Sequence, residues 1–178
     1  MINEYKKFLS EEECTRFIGY FQGRQTHQNE RERVFEVENY GLKVLLEDHH
    51  IEEIRGKLDN MVDEYLSPYM VAGFINGFKY SHSNMYLYDN NAATPPHFDK
   101  NMVKHGDGLK ARPFVFLVYL NDNFSGGNLI FNCQSTLVTP ETGKAVMFPA
   151  NYFFPHSSDA TTAGKRYMLR IAYRGDLA

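Results

Sequence analysis

The sequence predicts a mainly β fold of the α+β kind, a jelly-roll sandwich with N-terminal helices backing one sheet. Three observations carry this expectation. Up to residue 77 the apolar residues keep largely helical spacing, and from residue 78 the period falls to two. Beyond that point turn-forming residues recur every eight to twelve positions. They separate eight strand-like runs, near 80–89, 94–99, 113–121, 128–132, 135–139, 144–148, 152–157 and 166–174.

The elements follow in order. Ser10 with Glu13 forms a capping box, after which Cys14, Phe17, Ile18 and Phe21 fall on one helical stripe. Gly23 to Glu32 is polar and reads as a loop. Val34 to Val37 and Leu42 to Leu46 are short strands joined through Asn39-Tyr40-Gly41. A second helix covers Asp48 to Leu66, with Ile51, Ile54, Leu58, Met61, Val62 and Tyr65 on its apolar face, and Ser67-Pro68 is expected to end it. In the β region Phe114 to Leu120 is apolar at every position, as a strand covered on both faces should be. Gly126-Gly127, Pro140 to Gly143 and Ala163-Gly164 mark turns. With no repeat or linker, residues 1–178 read as a single domain, 1–77 supporting a 78–175 core.

Composition narrows the function classes. The hydrophobic content of 43% and charged content of 23% are globular values, and 14 Phe with 12 Tyr and no Trp suit a β-rich interior. A formal net charge of -3 argues against a nucleic-acid partner. Two cysteines, Cys14 and Cys133, are too few for a disulfide framework and suit reduced thiols in a cytoplasmic protein. Residues 1–10 lack the features of a signal peptide, and no apolar run is long enough for a bilayer, so no membrane association is expected.

The chemistry is concentrated in His97-Phe98-Asp99 and in His156, 57 residues beyond the aspartate. Two imidazoles and one carboxylate form the set that holds non-haem Fe(II) on one face and leaves the other open. A lone H-x-D triplet is weak evidence, and the chain has a second, His105-Gly106-Asp107. That one sits among glycines and lysines. The first follows Thr94-Pro95-Pro96, whose prolines restrict the backbone just ahead of the ligands. A single histidine at a strand end is ordinarily structural. His156, however, is followed ten residues on by Arg166 at the start of the last strand. A guanidinium inside a barrel needs an anion, and a cosubstrate carboxylate fits that need with two hydrogen bonds.

In these motifs the chain resembles the 2-oxoglutarate and Fe(II)-dependent dioxygenases, above all the prolyl 4-hydroxylase-like branch. The resemblance rests on Tyr88, His97-Phe98-Asp99, Val118 to Asp122, Gly126 to Phe131, Gly143 to Pro149, and His156 through Gly164-Lys165-Arg166-Tyr167. It covers residues 80–175, and Phe8-Leu9-Ser10 with its capped helix fits the same branch. It implies a double-stranded β-helix core, with iron held by His97, Asp99 and His156. It also implies that Arg166 and Tyr119 bind the distal carboxylate of 2-oxoglutarate and that Tyr88 faces the pocket near the iron. The resemblance further implies O2 as oxidant, release of succinate and CO2, hydroxylation of an aliphatic C–H and ascorbate as reductant, with no catalytic side chain beyond the metal centre. The chain departs from the branch at Asn91, where Gly is common. It has Arg166 where the prolyl 4-hydroxylases proper often have Lys, and Arg170 and Ala172 where Asn and Trp are usual.

Strand alternation extends the reading. With Arg166 inward, Met168, Arg170, Ala172 and Arg174 share its face, while Tyr167, Leu169, Ile171 and Tyr173 pack under the helices. Arg170 is then either a salt-bridged rim residue or a contact to an anionic part of the substrate. Asn84, Tyr86 and Tyr88 share another face and either line the substrate pocket or hydrogen-bond within the core. Lys100 to Arg112 reads as a solvated loop or as a lid. A peptide or protein substrate is the first expectation and a free amino acid or small metabolite the second. A non-catalytic sandwich binding a metal or organic acid is the alternative of another class. A nucleic-acid demethylase of the AlkB type is disfavoured because Arg166 to Ala172 lacks its spacing of arginines.

Overall fold

The computed structural model describes residues 1–26, 35–37, 41–46, 48–70, 75–89, 91–105 and 108–177. Strand β1 (Asn3–Tyr5) precedes helix α1 (Glu11–Thr26), and β2 (Phe35–Val37) and β3 (Gly41–Leu46) precede helix α2 (Asp48–Met70). The β region holds β4 (Ile75–Tyr88), β5 (Thr94–His97), β6 (Met102–His105), β7 (Gly108–Ala111), β8 (Phe114–Tyr119) and β9 (Ser125–Gly126). It continues with β10 (Leu129–Phe131), β11 (Thr136–Val138), β12 (Ala145–Pro149), β13 (His156–Ser158), β14 (Thr161–Ala163) and β15 (Arg166–Leu177).

The larger sheet runs β1-β12-β8-β15-β4-β3-β2, and the smaller runs β11-β10-β13-β5. Strands β12, β8, β15 and β4 opposite β11, β10, β13 and β5 make the eight-strand jelly roll that the periodicity predicts. Alternation divides the core cleanly. In β8, Phe114, Phe116 and Val118 join the cluster formed with helix residues such as Phe17, Phe21, Ile51, Ile54 and Leu58. Val115, Leu117 and Tyr119 turn the other way, toward Phe131, Val138 and Phe148 of the sandwich interior. Tyr167, Leu169, Ile171 and Tyr173 of β15 lie in the helix-side cluster, as expected, and Met168 lies in the inner one.

The α1 start is the predicted capping box. The Ser10 amide donates to Glu13 Oε2 at 2.7 Å and the Glu13 amide donates to Ser10 Oγ at 3.1 Å. Lys57 of α2 then closes on the same carboxylate at 2.6 Å, tying the two helices together.

Several boundaries differ from expectation. Helix α1 continues to Thr26, so the expected 23–32 loop is helical over its first four residues, and residues 27–32 lie outside the described residues. So do Asn39 and Tyr40 of the turn. Helix α2 runs through Ser67-Pro68 to Met70. Ile51, Ile54 and Leu58 are wholly buried along it, and that packing outweighs one proline placed where few helical hydrogen bonds remain to be lost. The expected 152–157 strand is a turn as far as residue 155, where the Phe153 amide donates to Asn151 Oδ1 at 2.9 Å. Strand β1 was not foreseen; its three residues pair with Met147, Val146 and Ala145. The 100–112 connection is a β-hairpin, β6 on β7, attached to β15 through Ala111 opposite Gly175.

Candidate metal centre and cavity

Strands β5 and β13 are antiparallel neighbours, and their ladder sets His97 directly opposite His156. The imidazole centroids are 4.3 Å apart. Asp99, two residues past His97, turns its Oδ2 to within 3.6 Å of His156 Nε2. One donor atom from each of the three residues lies within 4.8 Å of the others. The structure therefore brings together His97, Asp99 and His156; of the second triplet, Gly106 and Asp107 fall outside the described residues.

Both imidazoles are oriented by one device. His97 Nδ1 is 3.0 Å from the Pro95 carbonyl, and His156 Nδ1 is 3.1 Å from the Phe154 carbonyl. A carbonyl only accepts, so each Nδ1 carries the proton and each Nε2 keeps a lone pair for the centre. Burial pushes His156 down to about 4, which keeps it neutral at ordinary pH. Phe131 and Phe148 pack on its ring, at 5.5 and 4.7 Å between centroids.

Burial works to raise the Asp99 carboxyl, but Arg170 and then Arg112 outweigh it and hold the group below the usual carboxylate range. Both arginines reach the same oxygen. Arg170 Nη2 stands 2.6 Å from Asp99 Oδ1, and Arg112 Nη2 stands 3.3 Å from it. Oδ2 is thereby left facing the histidines. Arg170 is salt-bridged, as one sequence reading has it, and it also lines the cavity. Arg112 was not singled out from sequence, since nothing in a run of loop charges shows which one folds back. Its Nε and Nη2 also grip the Lys100 carbonyl at 3.1 and 2.9 Å, closing the base of the β6–β7 hairpin.

A cavity of about 210 Å³ opens beside the triad. Its wall includes Tyr86, Tyr88, Tyr119, Met168 and Arg166 as well as the triad. Arg166 is only 2% exposed. Its Nη1 donates to the Gly127 carbonyl at 2.6 Å and its Nη2 to Ser158 Oγ at 3.1 Å, and its guanidinium lies 3.9 Å over the Tyr88 ring. Its Nε is buried without a hydrogen-bond partner. Gly127 makes room for this: φ is +75°, and a Cβ there would come 2.9 Å from Arg166 Cδ. Burial raises the Tyr119 hydroxyl well above its ordinary value and pushes Tyr86 up to about 12, so both remain neutral phenols. Asn84 is 4% exposed and pairs with Arg170 across the β4–β15 ladder, but it is not part of the cavity wall. Asn91 has φ of +66°, which explains why glycine suits this position and asparagine is tolerated.

A jelly roll whose cavity is lined both by two converging imidazoles with a carboxylate and by a buried guanidinium has the donor set that suits a metal and a cation that suits an organic anion. The sequence pattern of the 2OG-Fe(II) oxygenase superfamily (2OG-FeII_Oxy_3) matches residues 82–174, and the chain belongs to that superfamily. It is accordingly an oxidoreductase of the dioxygenase type that uses iron and 2-oxoglutarate. No curated protein matches the chain significantly. Among solved structures it is similar to the viral collagen prolyl hydroxylase of Paramecium Bursaria Chlorella virus-1 in complex with 2OG. There the TM-score is 0.73 at 15% identity, covering 98% of this chain and 96% of that one. A Pseudomonas putida prolyl-4-hydroxylase gives 0.70 at 17% identity, covering 97% and 91%. A Trichoplax adhaerens prolyl hydroxylase bound to a hypoxia inducible factor peptide fragment gives 0.65 at 17% identity, covering 97% and 83%. Among the described residues, no helix is long and apolar enough to cross a membrane.

Proposed function

We propose that the protein hydroxylates an aliphatic C–H, on a prolyl residue of a peptide or protein, with O2 as oxidant and release of succinate and CO2. The single observation carrying this reading is that buried Arg166, its Nε unpaired among the described residues, lines the same cavity as the His97, Asp99 and His156 cluster. His97, Asp99 and His156 would hold Fe(II), and Arg166 with Tyr119 would receive the distal carboxylate of 2-oxoglutarate. Tyr88 would back the guanidinium from its ring face. When bound, Fe(II) would activate O2 using two electrons from 2-oxoglutarate, which is oxidised to succinate and CO2; ascorbate would keep the metal reduced. The chain's own work is placement. Carbonyls of Pro95 and Phe154 fix the two imidazoles, Asp99 is held by one oxygen, and Val115, Leu117 and Leu129 keep the cavity wall apolar. Residues 1–178 act as one domain in this reading, 1–77 buttressing the 78–175 core.

The similar structures with prolyl hydroxylase and peptide in their names support a peptide substrate, and the net charge of -3 supports a partner other than nucleic acid. A free amino acid or small metabolite is the second reading, favoured by the Arg170 guanidinium in the cavity wall. Anaerobic addition of Fe(II) and 2-oxoglutarate tests the proposal. A weak visible charge-transfer band, followed by succinate on admitting O2, is expected; a protein that binds iron yet gives neither would be a binding module instead.

A further inference from the structure

Along β15 the residues facing the cavity are Arg166, Met168 and Arg170. At about 3.4 Å per residue, the two arginine Cα atoms are roughly 14 Å apart, so the strand presents two separate guanidiniums to the cavity. The Arg166 end has its assigned anion in the reading above, whereas the Arg170 end has only Asp99.

There a single carboxylate, Asp99, faces two guanidiniums, both on the same oxygen. Among the described residues it is also the one acidic side chain in the cavity wall, against Arg166 and Arg170. Any cation held by Asp99 with the two imidazoles draws on the same negative charge and leaves the arginines less compensated still. Donor capacity points the same way. Arg112 is occupied by the Lys100 carbonyl and Asp99. Arg170 has five N–H groups and, among the described residues, one hydrogen bond, to Asp99. Its side chain is 18% exposed, enough to be reached from the cavity and too little for water to screen it fully.

We propose that Arg170, backed by Arg112, is a substrate-anion receptor: the molecule oxidised carries a carboxylate close to the C–H that reacts. This rests on the dioxygenase reading above and deepens it. It separates the natural substrate from a neutral proline-rich repeat and points to an acidic residue beside the target, a chain-terminal carboxylate or a free amino acid. A fork of parallel N–H donors grips a carboxylate in one orientation, so the same contact would fix which hydrogen faces the metal.

The test uses the full chain loaded anaerobically with Fe(II) and 2-oxoglutarate. It is offered central-proline hexapeptides of net charge from about -3 to +3, together with the free L-amino acids and their amides, and retained compounds are identified by mass. The expected result is that every retained compound carries a free carboxylate, that its amide binds at least about tenfold more weakly, and that Arg170→Gln removes the difference. Retention independent of charge, retention of neutral or basic compounds, or retention of none of the anionic ones overturns it. So does an Arg170→Gln protein that still prefers the acid. Should that variant lose iron, the acid and amide comparison on the unaltered protein decides alone. If the unaltered protein shows no charge-transfer band at loading, it is the dioxygenase reading that fails, not the anion receptor.

Discussion

His156 Nε2 and Asp99 Oδ2 stand 3.6 Å apart, although 57 residues separate them in the chain. The contact is produced by one ladder position, His156 opposite His97, and by the arginines that turn the other Asp99 oxygen away. Either a one-residue slip of β13 or loss of the carboxylate would disperse the cluster.

Asp99→Ala should therefore abolish stoichiometric Fe(II) binding, and Asp107→Ala should leave it intact. Equilibrium dialysis or calorimetry with Fe(II) under anaerobic conditions reads both. The reverse pattern would place the metal on the second triplet.

Gly127→Ala is expected to weaken 2-oxoglutarate binding by about tenfold or more. The alanine would have to sit at φ +75° with its Cβ 2.9 Å from Arg166 Cδ, so both backbone and guanidinium must shift. Titration of the 2-oxoglutarate charge-transfer band measures it, and unchanged affinity would detach Arg166 from the cosubstrate.

Ser10→Ala should cost about 1 kcal/mol, and Glu13→Gln, which keeps the hydrogen bond of the box but loses its charge, should cost less. Burial works to raise the Glu13 carboxyl, but the hydrogen bond from Lys57 and then that from the Ser10 amide bring it below its ordinary value. A depressed carboxylate stabilises the fold above its unfolded value near 4.3, and that contribution disappears as pH falls through the lower folded value. Denaturant melts of the wild type and Glu13→Gln should accordingly converge in acid.

Metal-free protein should lose stability between about pH 6.5 and 4, with a slope of at most about 1.4 kcal/mol per pH unit from His156. Burial lowers this imidazole to about 4, so over that window the unfolded chain binds a proton that the folded chain refuses. Asp99, also lowered, acts in the same sense at more acid pH. A His156→Gln protein should show a flatter profile.

Thiol labelling should distinguish the cysteines. Burial raises Cys14 to about 11, whereas Cys133 is exposed. One alkylated thiol is expected in the native protein and two after denaturation.

What could be read from residues alone follows from range. The Ser10–Glu13 box and the alternation along Phe114 to Tyr119 are local patterns with a fixed physical period, and both appear as expected. The convergence of His97, Asp99 and His156 was legible because residue type restricts it: few side chains suit iron, and the chain offers few arrangements of them. Strand β1 was not legible, since three residues become a strand only through their partners Ala145 to Met147. Tyr152 and Phe153 favoured a strand by type, but both are more than 60% exposed in the turn before His156. Arg112 escaped notice because its partners, Lys100 and Asp99, come together only once the β6–β7 hairpin closes.

Strand β5 is the last of its sheet, and two of its four residues are Pro95 and Pro96, both exposed. Without amide hydrogens there, that border offers an incoming strand little to zip onto. The molecule can thus leave its reactive rim open to visitors while denying another copy of itself a template for edge-to-edge growth at the same place.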